Sequence, residues 1–383
     1  MRIVTTSEDL KALATELAKA PYIALDTEFM RDQTYWPKLC LIQAASKDVE
    51  AIIDPMADSI DLSPFYALLA DPKIVKVLHA SRQDIEIFFQ QGGVIPDPLF
   101  DTQIAAMVCG FGEAASYETL SRKLAHGEVD KSARFTDWGR RPLSPRQLEY
   151  ALADVTHLRI VYEKLAEELR TSGRASWVQE EIAALQNPAL YRLEPEQAWK
   201  RMKLRTASRR FVAMLATLAA WREREAQTRD IPRSRVLKDD ALLEIAAHPP
   251  ETADALERMR AIPKGFATSR YGKALLDAIR EGREASPPAD MPAERPRRKR
   301  EPSQAAIDLL KTLLRLRADE ARVAPRLIAN ADDIDRLAAF EDEGVAALQG
   351  WRADVFGNDA RALRDGRLAL ALKKGEAVVV ETA

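Results

Sequence analysis

The hydrophobic pattern of the chain changes character once along its length. Up to about residue 165, compact apolar runs alternate with amphipathic segments, and beyond about residue 195 nearly every segment carries helical spacing. The runs YIALDTEF (22–29), LCLIQAAS (39–46), EAIIDP (50–55) and IVKVLHA (74–80) are rich in Ile, Val and Leu and read as strands. Helical spacing covers 7–18, with Ser7 as N-cap, then 81–91, 101–110, 117–127 and 144–169. Asp101 reads as the N-cap of the 101–110 helix. Strands first and helices after predict a mixed sheet covered by helices, an α/β domain.

The helical part contains an internal repeat. LATLAAWREREA (215–226) resembles LKTLLRLRADEA (310–321), and PRSRVLKDDAL (232–242) resembles PRLIANADDI (325–334). Each copy joins a helix through a Pro-Arg turn to a second helix opened by an Asp pair, which predicts a duplicated all-α domain. Between the copies lies SPPADMPAERPRRKREPS (286–303), whose prolines and basic run (Arg295, Arg297, Arg298, Lys299, Arg300) read as a linker. Trp221 stands at helical spacing from Leu218 and reads as core.

Composition narrows the class without choosing the chemistry. The chain has 383 residues, room for two or three domains, and a hydrophobic fraction of 46%. No apolar run is long enough to cross a bilayer, and the N-terminus lacks the apolar stretch of a signal peptide, so a cytoplasmic protein is expected. Its two cysteines, Cys40 in a strand and Cys109 in a helix, read as small hydrophobes. The net charge of −2 gives no global signature of polyanion binding, although local patches can hide beneath it. No phosphate-loop motif occurs, which excludes a helicase of that type.

The informative residues are acids in positions that need explaining. Asp26 and Glu28 interrupt an apolar strand two residues apart, so their carboxylates share a face and repel. Asp84 follows the strand 74–80 in the first turn of a helix. Tyr150 and Asp154 stand four apart on a helix, hence on one face. Converging, the four carboxylates would suit two divalent cations, Mg²⁺ or Mn²⁺, because oxygen-only sites favour hard ions. Such a pair cleaves phosphodiesters, one ion activating water and the other stabilising the departing 3′-oxygen. Tyr150 would orient the attacking water. The histidines are given structural roles: His79 as a hydrogen-bonding neighbour of the site, His126 and His157 as surface or helix-packing residues. Lys131 and Arg134 are candidates for phosphate contact.

LDTEF, HASRQD and YALADVTHL resemble, in order and spacing, the three motifs of the DEDD exonuclease superfamily, and the tyrosine before Asp154 matches its tyrosine subclass. YWPKLCLIQ (35–43), FDTQIAA (100–106) and VDKSARFTDW (129–138) resemble the ribonuclease D family. The resemblance implies a ribonuclease H-like exonuclease domain over 1–170, a connecting helical segment over 171–204 and an HRDC domain over 205–285. After the linker it implies a second, divergent HRDC-like domain over 304–383. It further implies 3′–5′ removal of nucleotides from RNA with a free 3′ end, tRNA precursors among them, with release of 5′-mononucleotides. The metal-holding acids are then Asp26, Glu28, Asp84 and Asp154, joined by Tyr150 in catalysis. Neither a membrane nor an obligate protein partner is expected. The residues by themselves reach only metal-dependent phosphodiester hydrolysis, leaving a DNA 3′–5′ exonuclease and a silent nucleic-acid-binding protein as alternatives.

Overall fold

The computed structural model describes residues 2–127, 133–204, 208–291 and 301–382. The described residues form two compact units, one drawn from Met1–Glu28, Cys40–Leu190 and Arg297–Ala383, the other from Phe29–Leu39 and Tyr191–Pro296.

The first unit is built on a six-stranded sheet of β1 (Arg2–Val4), β2 (Tyr22–Met30), β3 (Lys38–Ala45), β4 (Glu50–Ile53), β5 (Val75–Leu78) and β6 (Leu99–Asp101). The strand order is β1-β4-β3-β2-β5-β6, with β2, β5 and β6 parallel and β3 antiparallel to β4. This is the mixed sheet expected from the pattern. β2 is central, and its run Tyr22 to Leu25 is fully buried, as a strand covered on both faces must be. β1 and β6, three residues each, are too short to leave a periodic signal.

The helices of this domain are α1 (Ser7–Leu17), α2 (Ser63–Ala70), α3 (Arg82–Gly92), α4 (Thr102–Val108), α5 (Tyr117–Leu120), α6 (Pro145–Ser172) and α7 (Ala175–Leu185). The expected N-cap at Ser7 is corrected by one residue. Extended Thr6 accepts from the Asp9 N–H, whereas the Ser7 hydroxyl accepts from Asp61 N–H at 2.8 Å. Asp101 does cap α4, accepting from Gln103 and Ile104. α6 opens on a Ser144–Gln147 capping box with Pro145 in its first turn and stops at left-handed Gly173. Its Val155 and Leu158 pack with Tyr22, Ala24, Ala45 and Val77, laying the helix across the sheet beside the end of β2.

The second unit holds α8 (Arg209–Arg229), α9 (Arg233–Val236), α10 (Asp239–Ala247), α11 (Ala253–Glu257) and α12 (Arg270–Glu284). Trp221 belongs to its core, as its spacing predicts. Tyr35 is buried in the same core, and the Asp230 carboxylate accepts from the N–H groups of Tyr35 (3.0 Å) and Trp36 (2.9 Å).

Residues 304–382 repeat that order: α13 (Gln304–Ala321), α14 (Pro325–Ile328), α15 (Ala331–Ala338), α16 (Gly350–Arg352) and α17 (Asn358–Arg364). α8 and α13 both end on a left-handed residue, Asp230 and Arg322, before the Pro-Arg turn. An all-α ending is corrected, because the chain closes with a hairpin of β7 (Leu368–Lys373) and β8 (Glu376–Glu381). Lys374 and Gly375 both take positive φ, the two-residue turn that matches strand twist, and it joins two strands rich in Leu, Ala and Val. This region lies in the first unit: Ala324 N–H donates to the Met107 carbonyl at 2.9 Å, and Trp351 stacks on Trp177 with ring centroids 4.4 Å apart. The basic run Arg295–Arg300 and Lys131 lie outside the described residues. No described helix is long and apolar enough to cross a membrane.

Candidate active site

Three elements meet at the end of β2. Asp26 and Glu28 project from one face of the strand, and Asp154 arrives from α6, so that carboxylate oxygens of the three lie within 4.8 Å of one another. Tyr150, one turn earlier on α6, hydrogen-bonds to Asp154. Asp84 enters from the first turn of α3, and its Oδ1 accepts the Thr27 hydroxyl at 2.5 Å. It lies outside the tight cluster of three, yet its charge acts on both Asp26 and Glu28. The structure therefore brings all five sequence-predicted residues into one neighbourhood, with three carboxylates in immediate reach and Asp84 tethered beside them.

Burial makes this neighbourhood strongly unfavourable for bare negative charge. Desolvation holds Asp26 well above the ordinary carboxylate range, and repulsion from Asp154, Asp84 and Glu28 adds to it. Glu28 is pushed up to about 8 by burial and then by Asp154 and Asp84. Burial also raises Asp84 and Asp154, opposed by the hydroxyls of Thr27 and Tyr150 respectively. Tyr150 itself is raised by burial and by the surrounding acids, so its phenol stays protonated at neutral pH.

The donor set fits a hard divalent cation. It consists of oxygen alone, and Asp154 Oδ1 is buried without a hydrogen-bond partner. An unsatisfied buried carboxylate oxygen is costly, and a cation would satisfy it while relieving the repulsion around Asp26. His79, five residues before Asp84, instead pairs Nδ1 with the Thr102 hydroxyl at 3.0 Å.

Several residues that hold this geometry carried no distinguishing signal in the sequence. The Tyr117 hydroxyl donates to the main-chain carbonyls of Ala153 (3.0 Å) and Asp154 (2.6 Å), fixing the turn of α6 that presents the acid. Asp101 caps α4 and also accepts from both the N–H and the hydroxyl of Ser81 at 2.8 Å, pinning the start of α3 and hence Asp84. Only its capping role could be read from its position. Arg134, by contrast, stands out in the sequence as a candidate for phosphate contact, and in the structure its charge opposes proton uptake by Glu28 and Asp154.

Comparison with known proteins gives a consistent match. The family model described as a 3′–5′ exonuclease matches residues 1–170, and the HRDC domain model matches residues 212–279. Ribonuclease D of Granulibacter bethesdensis is 50% identical over 383 residues, covering 99% of this chain and 96% of the relative. Ribonuclease D of Nitrobacter hamburgensis is 46% identical over 381 residues and is covered completely. Among solved structures, Escherichia coli RNase D superposes with a TM-score of 0.80 at 30% identity, covering 95% of this chain and 98% of that one.

Proposed function

The chain belongs to the ribonuclease D family, and from that premise we propose how its own residues shorten RNA. It is a 3′–5′ exoribonuclease. In our reading Asp26, Glu28, Asp84 and Asp154 hold two divalent cations, Mg²⁺ or Mn²⁺, and Tyr150 acts with them. The observation that carries this reading is the cluster of Asp26, Glu28 and Asp154 within 4.8 Å, with one Asp154 oxygen left unpartnered.

Bound there, the cations supply Lewis acidity, both for activating water and for neutralising charge on the departing 3′-oxygen. The rest falls to the protein. Buried, mutually repelling carboxylates give the site its affinity for positive charge. Asp84 is held beside the cluster by the Thr27 hydroxyl and by the α3 start that Asp101 pins. Tyr150 stays protonated and orients water through its hydroxyl, which suits a positioning group better than a strong base. The terminal nucleotide is then released with a 5′-phosphate.

We extend the reading to RNA with a free 3′ end, tRNA precursors included, acted on in the cytoplasm; resemblance to the family supports this extension. We assign 1–170 to the exonuclease domain, 171–204 to a connecting helical segment, 205–285 to the HRDC domain and 286–303 to a linker. We assign 304–383 to a second, divergent HRDC-like copy. The shared order of long helix, Pro-Arg turn and Asp-opened helix supports the second copy.

The test is digestion of 5′-labelled single-stranded RNA and its DNA counterpart with Mg²⁺, Mn²⁺ or EDTA. A metal-dependent ladder shortening from the RNA 3′ end is expected. DNA degraded equally well would remove the preference for RNA, and degradation of RNA in EDTA would remove the metal mechanism.

A further inference from the structure

The segment between Ala133 and Arg141 precedes α6 and is pinned at three points. Arg141 grips Asp54 through Nε and Nη2 at 2.6 and 2.7 Å and donates to the Cys40 carbonyl at 2.7 Å. Gln147, in the first turn of α6, donates to the Thr136 hydroxyl at 3.0 Å. The Trp138 ring lies 6.1 Å from the ring of Tyr150. In this anchored stretch Phe135 stands 91% exposed. A large apolar side chain held in water beside a polar site is the informative exception to ordinary burial. The guanidinium of Arg134 lies 5.3 Å from the Phe135 ring centroid. The same Arg134 is close enough to Glu28 and Asp154 for its charge to favour their ionised forms. A solvent-exposed aromatic ring is thus paired with the cation whose charge acts on the acid cluster.

An enzyme that removes one nucleotide after another needs a grip that ignores sequence. Base stacking on an aromatic ring provides one, because every base has a π-face, and a neighbouring guanidinium adds both stacking and phosphate attraction. Resting on the active-site reading above, we propose that Phe135 is a stacking platform for a nucleobase near the RNA 3′ end, with Arg134 beside it contacting the backbone phosphate. The platform sets affinity for the 3′ end and leaves the hydrolytic step to the acids and Tyr150. A purely apolar protein partner fits less well, since the exposed ring is a single residue, carries a cation and stands beside the metal-type cluster.

The experiment measures KM and kcat on 5′-labelled single-stranded RNA for the full chain, Phe135→Ala, Phe135→Trp and Asp26→Asn. Matched substrates carry an abasic ribose at each of the last few positions in turn. Phe135→Ala is expected to raise KM roughly tenfold with kcat nearly unchanged, and Phe135→Trp to restore KM. At one abasic position the wild type should take on the variant's KM, and Phe135→Ala should there incur no further loss. An unchanged KM in Phe135→Ala, or the same penalty on intact RNA and on every abasic substrate, would overturn the stacking assignment alone. Full activity in Asp26→Asn, or a wild type inactive on RNA, would overturn the active-site reading and this proposal with it.

Discussion

The Tyr117 hydroxyl donates to the main-chain carbonyl of Asp154 at 2.6 Å and reaches the Ala153 carbonyl at 3.0 Å. The contact is to backbone, so it fixes the roll of α6 independently of the acid's own side chain. Tyr117→Phe keeps the ring and removes the donor. It should cost about 1 kcal/mol of stability and lower kcat about fivefold with KM unchanged, measured by denaturant unfolding and steady-state trimming of single-stranded RNA. An unchanged kcat would mean that α6 is held by packing alone.

The hydroxyl of Thr27 makes a second prediction. It donates to Asp84 and favours that residue's carboxylate form against burial. In Thr27→Val the shape is kept and the donor lost, so Asp84 should hold its proton to higher pH. Half-saturating Mg²⁺ in the trimming assay should rise roughly fivefold at pH 7 and less at pH 9. An effect equal at both values would point to a change of shape instead.

The raised pKa values of the buried acids also set how pH and metal act on stability. Glu28 keeps its proton to about 8 when the site is metal-free, whereas the unfolded chain releases it near the ordinary value of 4.5. The folded state therefore binds the proton more tightly between these values, and this group's contribution to apo stability falls as pH rises through that window. Metal requires the carboxylate, so the rise in Tm on adding Mg²⁺ should be larger at pH 8 than at pH 5.5. Thermal melts in EDTA and in Mg²⁺ at the two values check this, and an equal rise at both would contradict it.

A fourth prediction concerns the helical unit. Glu223, with a fully buried carboxylate, is held by Arg233 at 2.6 and 2.7 Å, by Arg201 at 3.1 Å and by the Tyr35 hydroxyl. Burial opposes ionisation, but these partners prevail and the acid lies below its ordinary range. Its stabilising contribution is present above the unfolded value and is lost as pH falls through the folded one. Glu223→Gln leaves two guanidinium groups without a counter-charge and should cost about 3 kcal/mol in urea unfolding at pH 7. The penalty should shrink under acid conditions, and a penalty unchanged by acid would show that shape, not charge, sustains the network.

The legible parts of the molecule are those that local spacing encodes. Two acids at i and i+2 in a buried strand, and Tyr150 four residues before Asp154 on a helix, share a face whatever the fold, so the candidate site could be assembled before any coordinates. Tyr117, Thr27 and the Ser81–Asp101 clasp were not legible as supports, because each acts on a segment distant in sequence and none breaks a local pattern. Glu223 looked like one charge among many on an Arg- and Glu-rich helix, and only tertiary packing buries it. The closing hairpin differs from these. Its Lys-Gly turn is a local signal, but LALALK and AVVV carry no apolar–polar alternation to set them apart from the helical segments before them.

The central claim, that the acid cluster holds divalent cations, is tested most directly by Mn²⁺ titration of the metal-free protein, read by calorimetry. The wild type should bind saturably at pH 8. Asp154→Asn, which keeps the size of the side chain and removes one charge at the unpartnered oxygen, should lower affinity at least tenfold while the fold persists in circular dichroism. Mn²⁺ binding unchanged in that variant would contradict the account.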